Sequence, residues 1–107
     1  MILAAPPPPP PSPARVLVEA TEFRFTLSRT SVKAGRAIVQ LAIRGEDPHD
    51  LKLVRSGTPT ARAASVPETL PGGVDEWRGK LKRGRYTLYC SLPGHKRLGM
   101  RAKLTVR

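Results

Sequence analysis

The sequence predicts an all-β domain, an antiparallel sandwich of seven or so short strands. Short stretches of alternating polar and apolar residues recur, separated by turn signals rich in Gly and Pro. The clearest strand, Arg85–Cys90, holds β-branched and aromatic residues. No stretch holds a helical period long enough to place a long helix.

The elements follow in order. Residues 1–14, MILAAPPPPPPSPA, carry no charged side chain and hold six consecutive prolines, Pro6–Pro11. Proline lacks an N–H and fixes φ, so this run is expected to be an extended polyproline II tether. MILAA can be read as the stump of a secretory apolar segment or as an ordinary cytoplasmic start; as it stands it is too short, and lacks the basic start, for a signal peptide. The folded domain is expected over residues 15–107.

Arg15–Ala20 alternates polar and apolar, and Thr21–Leu27 is expected to continue as a strand with Phe23, Phe25 and Leu27 on one face. SRTSVKAGR is a turn region. Ala37–Ile43 is a β-branched, partly buried strand, RGEDPH a turn, and Asp50–Val54 a strand with Leu51 and Leu53 on one side. Residues 55–73 hold three prolines and three glycines and read as a long connection, with one helical turn over ARAAS. Val74–Leu81 is a strand, Lys82–Gly84 a turn, and Arg85–Cys90 a strand. Residues 91–101 form a loop, and Ala102–Val106 closes the chain as a strand.

The formal charge is +11, and from Arg78 onward there are ten Lys or Arg and no acid. Such a charge steers a protein toward acidic surfaces, although a solvated basic face accounts for it equally well. No stretch reaches the roughly 20 apolar residues of a membrane span. A domain of this size buries a modest core and gains from a staple. Cys90 is the only cysteine, which excludes a disulfide within the chain and leaves a metal.

The chemistry sits in Cys90-Ser-Leu-Pro-Gly-His95-Lys-Arg-Leu-Gly-Met100. A cysteine ends a strand, a histidine follows five residues on, and a methionine five after that. Pro93, Gly94 and Gly99 let the loop turn tightly, so one loop can aim a thiolate, an imidazole and a thioether at one point. A second imidazole can come only from His49, at the start of another strand. Two imidazoles and a thiolate with a weak axial Met is the blue-copper arrangement, whereas structural zinc prefers four Cys or His ligands. Singly, Cys90 or Met100 would be core filler and either histidine structural. The conjunction carries the reading, because both histidines, the cysteine and the one internal methionine all fall at ligand positions.

The segment Tyr86–Met100 resembles the C-terminal ligand loop of the cupredoxins, the plastocyanin and azurin group. Its four-residue spacers on both sides of the histidine look most like rusticyanin and auracyanin. Asp47-Pro-His-Asp50 resembles the family's first-ligand turn. The resemblance covers roughly residues 15–107 and implies a Greek-key β-sandwich of about seven or eight strands with one copper at one end. It also implies one-electron transfer between Cu(I) and Cu(II), outside the cytoplasm: periplasmic, secreted or membrane-tethered. Position by position, it implies imidazoles from His49 and His95, a thiolate from Cys90 and an axial thioether from Met100. The family often has Asn after its first histidine; Asp50 stands there in this chain. Asp50 can accept from the Ser91 hydroxyl or N–H, preserving the tie between the two ligand segments. An anion there is expected to stabilise Cu(II).

His95, on a loop, is expected to be the exposed ligand and the electron port. Leu92, Pro93, Gly94 and Leu98 would form an apolar patch around it, rimmed by Lys96, Arg97 and Arg101. That implies a transient, salt-sensitive encounter of a monomer with an acidic redox protein. A copper carrier or storage protein would use the same ligands. A copper enzyme needs further histidines, and both are already used. Hydrolysis by Cys90 and His95 lacks a recognisable orienting residue. Nucleic-acid binding, which the charge invites, needs stacking aromatics; only Phe23, Phe25, Trp77, Tyr86 and Tyr89 are present, and both Phe read as core.

Overall fold

The computed structural model describes residues 2–107. Met1, the first residue of the expected tether, lies outside the described residues. Residues 2–13 carry no strand or helix.

Nine strands follow: β1 Ala14–Thr21, β2 Arg24–Leu27, β3 Ser31–Val32, β4 Gly35–Ile43, β5 His49–Arg55, β6 Ala64–Thr69, β7 Val74–Leu81, β8 Gly84–Tyr89 and β9 Arg101–Val106. They build a four-stranded sheet, β2-β1-β4-β7, facing a five-stranded one, β3-β9-β8-β5-β6. The chain crosses between the sheets repeatedly, and the fold is the all-β sandwich that the sequence predicts.

Four details differ from expectation. The expected turn region SRTSVKAGR holds the two-residue strand β3, and the strands number nine where about seven or eight were expected. The sheets are mixed rather than antiparallel, because β1 pairs parallel with β4 and β3 parallel with β9. Strand alternation reveals which face is buried but not the direction of the neighbour. The expected strand over 21–27 is broken by a two-residue turn, Glu22-Phe23, that folds β2 back on β1 with Thr21 opposite Arg24. The connection over 55–73 contains strand β6 after a short helical turn at Thr60–Arg62. Pro67 argued against a strand there, but β6 is an edge strand, where a missing N–H faces no partner.

The core lies between the two sheets. β1 contributes Val16, Val18 and Ala20, and the central β4 contributes Ala37, Val39, Leu41 and Ile43. Opposite them stand Leu51 and Leu53 of β5, Tyr86 and Leu88 of β8, and Leu104 and Val106 of β9. Truncating a fully buried member such as Leu41 or Leu88 to Ala costs about 2–5 kcal/mol. The Tyr86 hydroxyl donates to the Lys82 carbonyl at 2.9 Å, closing the turn between β7 and β8.

Candidate metal centre

Successive side chains alternate across a strand, so inward rows continue past strand ends until the backbone turns. On β5 the inward row is His49, Leu51, Leu53. On β8 it is Tyr86, Leu88 and, one residue beyond the strand, Cys90. On β9 it is Val106, Leu104 and, one residue before the strand, Met100. These three strands are neighbours, in the order β9-β8-β5. Their rows therefore run out at the same end of the core, and His49, Cys90 and Met100 are each fully buried there.

The fourth residue comes from the loop between β8 and β9. Its backbone folds on itself: His95 N–H donates to Leu92 O, Leu98 N–H to Gly94 O, and Met100 N–H to His95 O, each at 3.1 Å. Gly94 and Gly99 take φ of 81° and 115°, a region that costs a side chain dearly. Cys90 N–H donates to Met100 O at 3.1 Å and ties the loop's two ends together. The loop turns His95 inward while leaving it partly exposed.

Nδ1 of His49 lies 3.2 Å from Nδ1 of His95, and the Cys90 sulfur 3.5 Å from that same His95 nitrogen. Ligand atoms of all three residues lie within 4.8 Å of one another. Atoms so spaced can share one ion at the roughly 2.0–2.3 Å of metal–nitrogen and metal–sulfur bonds. Burial, and then the neighbouring His95, push the His49 pKa down, which keeps its imidazole neutral as a ligand must be. Burial also pushes the Cys90 thiol pKa up, so an arriving ion has to displace a proton from it.

Asp50, buried beside His49, accepts the Ser91 backbone N–H at 2.6 Å and the Ser91 hydroxyl. It thereby ties the strand bearing His49 to the residue after Cys90. The Glu22-Phe23 turn reaches the same end of the sandwich. The Phe23 ring meets the His95 ring edge-on, with centroids 5.1 Å apart. Glu22 Oε1 lies 4.0 Å from His49 Nε2, a buried nitrogen with no hydrogen-bond partner among the described residues. A buried polar atom left without a partner costs about 1–3 kcal/mol. Backbone N–H groups, Asp47 first, hold the Glu22 carboxyl below the usual carboxylate range.

Residues 14–107 match the family described as copper binding proteins, plastocyanin/azurin family. The chain belongs to that family. Among solved structures, auracyanin B is similar at a TM-score of 0.74 and 22% identity, over 91% of each chain. A dithionite-reduced auracyanin from Roseiflexus castenholzii gives 0.74 and 17%, covering 91% of this chain and 99% of that one. Auracyanin A, a "blue" copper protein from Chloroflexus aurantiacus, gives 0.65 and 21%, covering 90% and 100%. A search of curated protein sequences returns no match.

The donors of this cupredoxin suit copper: soft sulfur for Cu(I), and imidazole for either oxidation state. His49, Cys90 and His95 are positioned to hold the ion, and Met100 is buried at the same end of the core. Around His95, Leu92 is half-buried, while Pro93, Gly94, Lys96, Arg97 and Leu98 are exposed, Leu98 at 60%. The Lys96 ammonium sits 4.5 Å over the Tyr89 ring. An open crevice of about 450 Å³ borders Cys90, Leu92, Lys96, Arg97 and Arg101. Sequence reasoning missed Glu22 and Phe23 at the site. Phe23 has φ of 36°, and nothing in a run of alternating residues marks a bulky side chain in that conformation. The one trace in the sequence is a change of phase, from apolar residues at even positions (Val16, Val18, Ala20) to odd ones (Phe23, Phe25, Leu27).

Proposed function

We propose that this cupredoxin is a one-electron carrier that holds one copper through His49, Cys90, His95 and Met100 and is not itself an enzyme. The observation that carries the reading is the convergence of two imidazole nitrogens and one sulfur at a buried end of the core, with only His95 partly exposed. Bound copper supplies the exchange between Cu(I) and Cu(II). The chain supplies the rest. His49 opens β5 and Cys90 directly follows β8, and these strands cannot shift without repacking the core, so the site is held to one shape. Asp50 and Ser91 fix the distance between those strands. His95 is the path for the electron to the surface, and Phe23 limits solvent on one side of its ring.

Leu92, Pro93, Gly94 and Leu98 form the apolar centre of a docking face, and Lys96, Arg97 and Arg101 its cationic rim. The partner is an acidic redox protein bound transiently to a monomer. The domain begins near residue 15 and works outside the cytoplasm, with the prolines of residues 1–14 as a spacer. Among the described residues no helix is long and apolar enough to cross a membrane. A carrier or store of copper would share the ligands, but three fully buried ones favour an ion that stays in place.

Titrating the apo-protein with Cu(II) tests the reading. An intense thiolate-to-copper band, saturating at one equivalent and bleached reversibly by a reductant, is expected. Loss of the ion on each reduction would point to copper carriage instead.

A further inference from the structure

We propose that Glu22 is a positioning residue for the buried imidazole. Its carboxylate takes the Nε2 hydrogen of His49, leaves Nδ1 as the metal-facing nitrogen, and favours Cu(II) over Cu(I). The inference rests on the copper reading above.

Four observations point the same way. His49 Nε2 is the buried polar side-chain atom left without a partner among the described residues, and the Glu22 carboxylate stands 4.0 Å away. A closure of about 1 Å makes that contact a hydrogen bond. The opposite ring nitrogen, Nδ1, already faces His95 and Cys90, so Nε2 is the free end of the ring.

The carboxylate is also seated rather than loose. Glu46 and Asp47 each donate a backbone N–H to Oε1 at 2.6 Å. Both donors belong to the segment that leads into His49, so the contact ties the tip of the β1–β2 hairpin to the ligand's own loop. Gly45 completes the cradle, since a Cβ there would collide with the carboxylate.

A carboxylate behind a metal-bound imidazole fixes its tautomer and raises its basicity. It also places a negative charge near the ion, which stabilises the more highly charged oxidation state. Glu22 is 34% exposed, so solvent screens part of this effect. It is distinct from Asp50, which acts on the cysteine side of the site through Ser91.

Glu22→Gln keeps an oxygen for the two N–H donors and removes the charge. In the apo-protein, ¹H–¹⁵N spectra of the His49 ring are expected to show the Nε2–H tautomer in wild type and a displaced Nε2–H signal in Glu22→Gln. A wild-type Nδ1–H tautomer, or a signal that the substitution leaves in place, overturns the inference. In the copper-loaded protein, Glu22→Gln is expected to lower Cu(II) affinity relative to Cu(I) by about tenfold, a rise in potential of about 59 mV for one electron. Glu22→Asp, which retains the charge, restores part of the difference. Gly45→Ala, which evicts the carboxylate, moves the potential the same way and carries the test if Glu22→Gln does not fold. Unchanged potentials in both variants overturn the inference. Absence of a thiolate-to-copper band in wild type would instead sink the copper reading, and the apo-protein spectra would still decide the role of Glu22.

Discussion

Asp50 and Ser91 are 41 residues apart in sequence and joined by two hydrogen bonds to one carboxylate. Each is the neighbour of a proposed ligand, His49 or Cys90. The pair thus sets the gap across which the imidazole and the sulfur face each other.

Cutting that tie has a predictable cost. Asp50→Ala leaves the Ser91 N–H and hydroxyl without their charged acceptor, and is expected to lower stability by about 2 kcal/mol in denaturant unfolding of the apo-protein. Asp50→Asn retains acceptor and shape and should cost less. It also removes an anion, so its copper form is expected to show a higher potential than wild type.

The two sulfur residues separate by spectroscopy. Cys90→Ser removes the soft thiolate and is expected to abolish the intense visible band at any copper concentration. Met100→Leu conserves the core volume and should keep the band while raising the potential. A Met100→Leu protein with an unshifted potential would remove the thioether from the ligand set.

The apo-protein should be most stable between about pH 6.5 and 9.0, the ordinary values of the two groups concerned. His49 has a depressed pKa in the fold, so below pH 6.5 the unfolded chain binds a proton that the native state refuses, and stability falls with pH. Cys90 has a raised pKa, so above pH 9.0 the unfolded chain releases a proton that the native state keeps, and stability falls as pH rises. Melting temperatures across this range check both arms; a melting temperature still climbing above pH 9.0 contradicts the second.

Phe23 combines an unfavourable φ of 36° with packing against His95. Alanine loses the ring and keeps the backbone cost, whereas glycine loses the ring and tolerates the conformation. Phe23→Gly is therefore expected to be more stable than Phe23→Ala by about 1 kcal/mol, the reverse of the usual order in a strand. Equal stabilities would mean that the turn relaxes out of this conformation when the ring is removed.

If the proposed docking face operates, electron transfer to an anionic partner should slow as salt rises, because a rim of Lys96, Arg97 and Arg101 would steer the encounter over a Debye length of about 10 Å at 0.1 M. Reversing Lys96 and Arg97 to Glu is expected to flatten the salt dependence while leaving the visible band unchanged, since Arg101 and most of the positive charge remain. Stopped-flow rates with anionic and cationic partners of equal driving force measure this.

Much of the molecule was legible along the chain. Alternation in Arg15–Ala20 and Asp50–Val54, and β-branched or aromatic residues in Ala37–Ile43 and Arg85–Cys90, placed the main strands, because a half-buried strand writes its buried face into every second residue and β-branched and aromatic side chains suit the pleated surface. The donor types at 90, 95 and 100 and at 49 indicated copper, because coordination chemistry depends on which atoms are present. Strand β6 escaped notice because an edge tolerates Pro67, and the Glu22-Phe23 turn because no glycine marks it. Strand direction, and with it the two parallel pairings, depends on the path of distant segments, which local alternation does not encode.

The sequence alone determined that this is a β-domain carrying two imidazoles, one thiol and one thioether in positions suited to a single soft-metal site. Tertiary structure decided that His49 meets His95 and Cys90 at one end of the core, since that meeting requires β5 and β8 to lie side by side in one sheet. It alone also brought Glu22 behind the buried ring. That contact joins two turns from separate parts of the chain, and side chains with no shared periodicity leave no trace of such a meeting in the order of residues.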